Sequence, residues 1–141
     1  VLCLGNTWCL IWEIEEAITV LTAIRHRLRS GGRVVIDDIP GDLWPEVAGG
    51  HWQEGLDPES GTQLVWAEDD AVFALRSSER ADPDNWTLGP DDERLRLWTS
   101  ASLDLVARVA GFAVPVVRKE SGVRILTPAE PTEIHSPRAG G

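Results

Sequence analysis

The chain opens with a short apolar run that ends in a glycine and an asparagine. Val1-Leu2-Cys3-Leu4 shows no alternation of apolar and polar residues, which is typical of a parallel strand with both faces covered. The Gly5-Asn6 pair favours a tight turn after that strand. Because open α/β sheets bind ligands at the carboxyl ends of their strands, we expect this turn at a ligand-binding edge. A strand of this kind seldom begins a domain, so the sequence predicts that residue 1 lies inside one.

An amphipathic helix is predicted over residues 13–29. Its apolar residues recur at steps of three and four, with acids at its start and arginines at its end, as the helix dipole favours. Gly31-Gly32 ends the helix, and the β-branched run after Arg33 predicts a second strand that stops at Asp37-Asp38. Strand, helix and strand with short joints form a right-handed βαβ unit, so the two strands are parallel. Asn6-Thr7 and Asp37-Asp38 are therefore expected at one edge of the sheet.

Residues 40–98 read as an insertion that holds most of the tryptophans. Two strand-like segments, 62–67 and 71–77, are separated by three acidic residues and predict a hairpin. Residues 94–98 alternate strictly and predict a half-exposed third strand. The rest of the insertion is predicted to be loop, with at most one short helix. We expect Trp52, Trp66 and Trp86 to form a small core of the insertion itself.

The last third of the chain predicts a helix, two strands and a tail. The helix begins at Thr99 or Ser100, which can cap it, and ends at Gly111. The strands over residues 112–119 and 123–127 are joined so tightly that they are antiparallel. Residues 128–141 contain little that could be buried and are predicted to be disordered.

Composition excludes several classes of partner. Acidic residues outnumber basic ones by 23 to 13, for a net charge of -10, which argues against a nucleic-acid surface. No stretch is apolar enough for a membrane span, so no membrane partner is expected. Two cysteines, Cys3 and Cys9, are a poor basis for disulfides and favour a reducing, cytoplasmic setting, with Cys9 as a buried structural thiol.

Two stretches of the sequence together resemble the second half of class I S-adenosylmethionine-dependent methyltransferases. They are the opening phrase, residues 1–7, and residues 28–37, which contain Leu-Arg-Ser-Gly-Gly before a strand. That family carries a fourth strand ending in such a phrase, a helix, a Leu-Arg-Pro-Gly-Gly turn and a fifth strand. A variable insertion, a helix ending in Ala-Gly-Phe and a closing antiparallel pair come next. Ala110-Gly111-Phe112 stands at that helix end here, and Cys3-Leu4-Gly5-Asn6 is most similar to the glycine N-methyltransferase branch.

The resemblance implies an α/β fold of a particular architecture. It would be the C-terminal half of a Rossmann-like methyltransferase sheet, a parallel βαβ plus a closing antiparallel strand pair, with a small antiparallel β insertion. Residues 1–127 would form this partial domain, with 40–98 inserted over the active site. The missing N-terminal half of the same domain would be its partner and would hold the adenosine end of the cofactor.

The resemblance also implies a cofactor, S-adenosyl-L-methionine, and a small-molecule acceptor. Leu4, Gly5 and Asn6 would contact the methionine part of the cofactor, and Asn6 and Thr7 would reach the acceptor. We also expect Trp44 to contact the acceptor, for a reason independent of the resemblance. It closely follows the second strand, and the faces of tryptophan rings attract cations. The chain departs from the glycine-using branch at two positions. Leu10 replaces a histidine, and Ile39 replaces the arginine that would hold a glycine carboxylate.

Other interpretations of the same residues remain open. Asn6 is also a good turn residue, and Asp37-Asp38 is more typical of solvated or capping groups than of a metal site, so we expect no metal. His26, His51 and His135 have no ligand spacing. The chain could instead be a non-catalytic interaction module that docks through its first strand. Half of a nucleotide-dependent Rossmann oxidoreductase is a third possibility, which the closing antiparallel pair disfavours.

Overall fold

The computed structural model describes residues 1–37, 40–118 and 121–130. Asp38, Ile39, His135 and residues 131–141 of the predicted tail lie outside these ranges, and so does the side chain of Trp44. The elements along the chain are β1 (Leu2–Cys3), a 3-10 helix (Thr7–Leu10), α1 (Ile14–Arg27), β2 (Val34–Ile36), α2 (Pro40–Ala48), β3 (Gln63–Trp66), β4 (Val72–Arg76), β5 (Leu95–Arg96), α3 (Ser100–Val109), β6 (Val116–Arg118) and β7 (Val123–Leu126).

The larger of two sheets has four strands in the order β1-β2-β7-β6. β1 and β2 are parallel, with Leu2 opposite Val35, and α1 connects them. β7 is antiparallel to both β2 and β6. These pairings confirm the predicted parallel βαβ unit and the predicted antiparallel closing pair. Beyond β7, Pro128 bridges Phe112, and the Ala129 N–H donates to the Gly111 carbonyl at 3.0 Å.

β1 is less buried than its sequence indicates. Val1, Leu2 and Leu4 are 57%, 70% and 50% exposed, so the expectation of a strand covered on both faces is wrong for the described residues. The physical reason is its place in the sheet, because β1 is an edge strand and pairs only with β2 among the described strands.

The main core lies between this sheet and the helices α1 and α3. Ala17 and Leu21 of α1 are fully buried with Val106 and Ala107 of α3. The predicted amphipathic faces of both helices are confirmed. At the end of α3, the Arg25 guanidinium of α1 donates from Nε to the Gly111 carbonyl at 2.8 Å. This bond fixes α1 against the turn that ends α3.

We expect Gly111→Ala to destabilise the fold more than Gly122→Ala. Both glycines have left-handed backbones, at φ +84° and +66°, so either alanine costs about 1–2 kcal/mol of backbone strain. A Cβ at residue 111 would also lie 2.7 Å from Arg25 Nε, whereas one at residue 122 meets nothing within 4 Å. Displacing Arg25 removes its hydrogen bond, worth about 1 kcal/mol more. Urea denaturation of both variants measures the difference, and equal losses would contradict the role of Arg25.

The second sheet is antiparallel, in the order β3-β4-β5. The pairing of β3 with β4, Leu64 opposite Leu75, confirms the predicted hairpin. On one face of this sheet Leu64, Phe73 and Leu97 form a small core with Leu43 of α2. Trp52 and Trp66 pack against it as predicted, while Trp86 is 41% exposed. We refer to this sheet with α2 as the insertion layer.

The segment around β5 is buried on both sides, so the prediction of a half-exposed strand is wrong. Leu97 and Trp98 are 1% and 0% exposed, and Arg96 is 7% exposed. Leu97 belongs to the small core, whereas Trp98 belongs to the main core beside Trp8, at 5.7 Å between ring centroids. This segment therefore joins the two cores.

Candidate functional site

The turn after β1 is held by a carboxylate at the end of β2. Gly5 and Asn6 both have left-handed backbones, at φ 72° and 60°, which glycine adopts freely and asparagine tolerates. The Gly5 N–H donates to Asp37 Oδ2 at 2.6 Å, and the Asn6 N–H donates to Oδ1 at 3.1 Å. The two strand ends therefore meet at one edge, as the sequence predicts.

Thr7 closes this turn and leads the chain into a buried 3-10 helix. The Thr7 hydroxyl donates to the Leu4 carbonyl at 2.7 Å, and Thr7 begins the 3-10 helix. Trp8 and Cys9 on that helix are 3% and 1% exposed. An exposed turn, residues 4–7, is thus followed directly by buried residues of the 3-10 helix. The Thr7 hydroxyl already forms a hydrogen bond within this turn. We refer to residues 4–7 with Asp37 as the strand-end turn.

A cavity of about 210 Å³ lies between the strand-end turn and the insertion layer. Asn6 is the residue of the predicted site that lines it. The other described lining residues come from α2, the loop after it, β4 and β5: Leu43, Glu46, Trp52, Phe73, Leu75 and Leu95. Leu4, Gly5 and Thr7 do not line it. Trp44 lies in α2, the helix that supplies Leu43 and Glu46, but its side chain is outside the described part of the chain.

Glu46 is the acidic residue among the described residues that line this cavity, and the sequence alone does not identify it. The Trp52 indole Nε1–H donates to Glu46 Oε2 at 3.2 Å, which holds the carboxylate at the cavity wall. The sequence suggests at most a short helix somewhere between residues 40 and 98, so Glu46 could not be assigned to a face. Its spacing of three from Leu43 is the signal that would have placed both on one helix face.

Partly buried hydrogen bonds hold the insertion layer to the segment after the strand-end turn. Arg96 donates from Nε to the Trp12 carbonyl at 2.5 Å and from Nη1 to Asp70 Oδ1 at 2.8 Å. The Trp98 indole N–H donates to the Ile11 carbonyl at 3.1 Å. The insertion layer is therefore anchored beside the turn, which fixes the cavity wall.

The described residues near the strand-end turn include neither an activated Cys3 thiolate nor a grouped set of metal ligands. Burial and the nearby negative charge of Asp37 raise the pKa of the Cys3 thiol, so Cys3 stays protonated at neutral pH. Within residues 1–37, 40–118 and 121–130, no three His, Cys, Asp or Glu side chains are grouped to hold a metal ion. The described lining of a larger cavity of about 420 Å³ consists of Gln53, Glu54, Leu56 and Pro58, none of which lies at the strand ends.

No described helix is both long and apolar enough to cross a bilayer. The cytoplasmic setting and the absence of nucleic-acid and membrane partners stay predictions from the sequence.

The chain is similar in structure to a known protein, but the sequence comparisons found no relative. No protein-family model matches the chain, and no curated protein is similar to it in sequence. Among solved structures, the chain is similar to the CcbJ methyltransferase from Streptomyces caelestis, at 19% identity and a TM-score of 0.52. The match covers 92% of this chain and 57% of the CcbJ chain, so this chain spans little more than half of that protein's length. The likeness indicates a methyltransferase fold for these residues.

Proposed function

We propose that these residues are the C-terminal half of a Rossmann-like methyltransferase domain, which moves a methyl group from S-adenosylmethionine to a small-molecule acceptor. One observation carries the proposal: the cavity beside the strand-end turn, at the carboxyl ends of β1 and β2, in a fold similar to a methyltransferase. Open α/β sheets bind their ligands at that edge. The insertion layer covers it and would shape the acceptor site.

The atoms of the strand-end turn fit the amino-acid end of this cofactor. The Leu4 carbonyl and the Asp37 carboxylate are acceptors, and an α-ammonium group is a donor. The backbone N–H groups of Gly5 and Asn6 already donate to Asp37. The groups that can bind a ligand are therefore the backbone carbonyl oxygens and the side-chain amide of Asn6. Leu4, Gly5 and Asn6 would hold the methionine part, and Asn6, Thr7 and Trp44 would face the acceptor. The bound cofactor would supply a methyl group carried on a positively charged sulfur.

The chain's own contribution is positioning and exclusion of water. Phe73 is 1% exposed and Leu43 is 6% exposed, so this part of the cavity wall is apolar and well packed. Holding two reactants in line in such a site lowers the barrier without an acid or a base. The remaining cofactor contacts would come from polypeptide that pairs with the outer edge of β1, the other half of the same domain.

The proposal is tested on the complete natural polypeptide that contains these residues. Calorimetry should show binding of S-adenosylmethionine, and radiolabel from its methyl group should enter a small molecule of a metabolite extract. Asn6→Gly keeps the left-handed backbone and removes the amide, so it should lower transfer by about 10-fold. Asn6→Asp also removes the amide NH2 but keeps the size of the side chain, so an equal loss in both variants would assign the effect to the amide rather than to side-chain bulk. A complete polypeptide that does not bind the cofactor would refute the proposal.

Residues 1–141 alone should bind the cofactor weakly or not at all. Micromolar binding by this part alone would contradict the division of the cofactor site between two halves.

A second candidate, an interaction module, is favoured by the exposed edge of β1. Val1, Leu2 and Leu4 offer apolar side chains along a strand with an open edge, which another strand can extend. In this case hydrogen exchange at β1 should slow only when a partner protein is added, and cofactor binding should be absent. Protection of β1 in the complete polypeptide alone would exclude this candidate.

A further inference from the structure

Among the described residues that line the cavity beside the strand-end turn, the one charged side chain is acidic. The described lining consists of apolar and aromatic side chains, the Asn6 amide and the Glu46 carboxylate, with no Lys, Arg or His among them. The whole chain has a net charge of -10, and such a field attracts cations and repels anions. An anionic ligand would therefore lose its hydration in this cavity without a compensating positive group.

Glu46 has an oxygen available to a ligand. Trp52 donates its indole N–H to Glu46 Oε2, and no described residue donates to Oε1. The same hydrogen bond orients the Trp52 ring at the cavity wall, which Phe73 also lines. A carboxylate beside aromatic rings is a combination that recognises organic cations, by charge and by the negative faces of the rings.

We propose that the cavity binds a small organic cation, an ammonium group on an apolar body, and that Glu46 recognises its charge. The cavity volume of about 210 Å³ is enough for one ring with a short substituent. The ring or chain would contact Leu43, Phe73 and Leu95, and the ammonium would lie between Glu46 and Trp52. The identification of this cation as the methyl acceptor rests on the proposed function. The binding of the cation follows from the cavity residues alone and does not depend on that function.

The test compares benzylammonium with benzyl alcohol, which has nearly the same shape and no charge. Binding to the complete polypeptide at pH 7 is followed by NMR at the Trp52 indole N–H, which Trp52→Phe assigns. We expect benzylammonium to bind about 10-fold more tightly, since an ion pair and a cation–π contact each contribute modestly. Glu46→Gln should abolish this preference and leave the binding of benzyl alcohol unchanged.

The matched control is Glu54→Gln, which removes the same charge at a residue of the loop after α2 that does not itself line this cavity. It should leave the preference intact. Equal binding of the two probes, or a preference that survives in Glu46→Gln, would overturn the inference.

Cofactor binding and methyl transfer are measured separately on the same preparations. A Glu46-dependent preference without cofactor binding would refute the methyltransferase proposal and keep the cation site. Methyl transfer to a neutral acceptor, with no preference between the probes, would refute the cation site alone.

Discussion

Replacing Arg76 by alanine should lower the free energy of unfolding by about 3–5 kcal/mol, since it leaves a buried carboxylate without its partner. Arg76 on β4 and Asp92 in the loop before β5 are 5% and 7% exposed. Arg76 Nη2 donates to Asp92 Oδ2 at 2.7 Å, and Nε donates to Oδ1 at 3.0 Å. This paired geometry is the strongest that two such groups form.

The same guanidinium also holds the loop that connects β4 to β5. Its Nη1 donates to the Asn85 carbonyl and its Nη2 to the Thr87 carbonyl, both at 3.0 Å. Arg80 approaches Asp92 at 3.3 Å, but its side chain is 53% exposed and compensates only in part. The variant therefore loses the attachment of the loop as well as the ion pair.

Urea denaturation at pH 7 measures this effect. Arg108→Ala is the control, because Arg108 pairs with Asp104 one turn away on α3 and its side chain is 59% exposed. Such an exposed pair contributes about 0.3–0.5 kcal/mol. Equal losses in the two variants would contradict the structural role of Arg76.

The pH dependence of stability gives a second measurement on Asp92. Its hydrogen bonds from Arg76 lower the pKa of this carboxyl from 3.8 to about 2. A carboxyl whose pKa is lower in the folded state stabilises the fold above its ordinary pKa, and this contribution is lost as the pH falls. We expect about 2 kcal/mol to be lost between about pH 4 and pH 2. The Asp92→Asn variant lacks this carboxyl, so its free energy of unfolding should not show this decrease between about pH 4 and pH 2.

The elements that can be predicted from the sequence are those that local signals define. α1 has acids, arginines and a glycine in the order that a helix requires, and β3 and β4 are separated by a short acidic turn. The sequence predicts α2 only as a short helix at an unspecified place, because Pro40, Gly41 and Pro45 argue locally against one. Burial of Leu43 in the small core is a tertiary effect that outweighs this local preference.

The candidate site is predictable only where topology places residues together. The parallel βαβ unit brings Asn6 and Asp37 to one edge although they are 31 positions apart. The tie between Trp98 and Ile11 spans 87 positions, and no pattern within either segment indicates it. Glu46 belongs to the cavity because the insertion layer folds back onto the strand-end turn, and this contact depends on packing rather than on a motif.

Under the proposed function, Asp37→Ala in the complete polypeptide should reduce methyl transfer by about 100-fold, because a small displacement of a positioning group can cost that much rate. The variant frees the N–H groups of Gly5 and Asn6, and the turn loses the constraint that fixes the Asn6 amide at the cavity. Water can reach both N–H groups, since these bonds are exposed. Stability should therefore fall by only about 1–2 kcal/mol.

A purely structural role for Asp37 would lower activity only in proportion to the unfolded fraction. The measurement is therefore kcat on protein that urea denaturation shows to be folded, together with the amide shifts of Gly5 and Asn6. Asp37→Asn keeps one acceptor oxygen and should retain one of the two bonds, with intermediate activity. Asp69→Ala, which removes an equal charge from an exposed turn beside another cavity, is the control. Full kcat in folded Asp37→Ala would show that the strand-end turn positions Asn6 without this carboxylate.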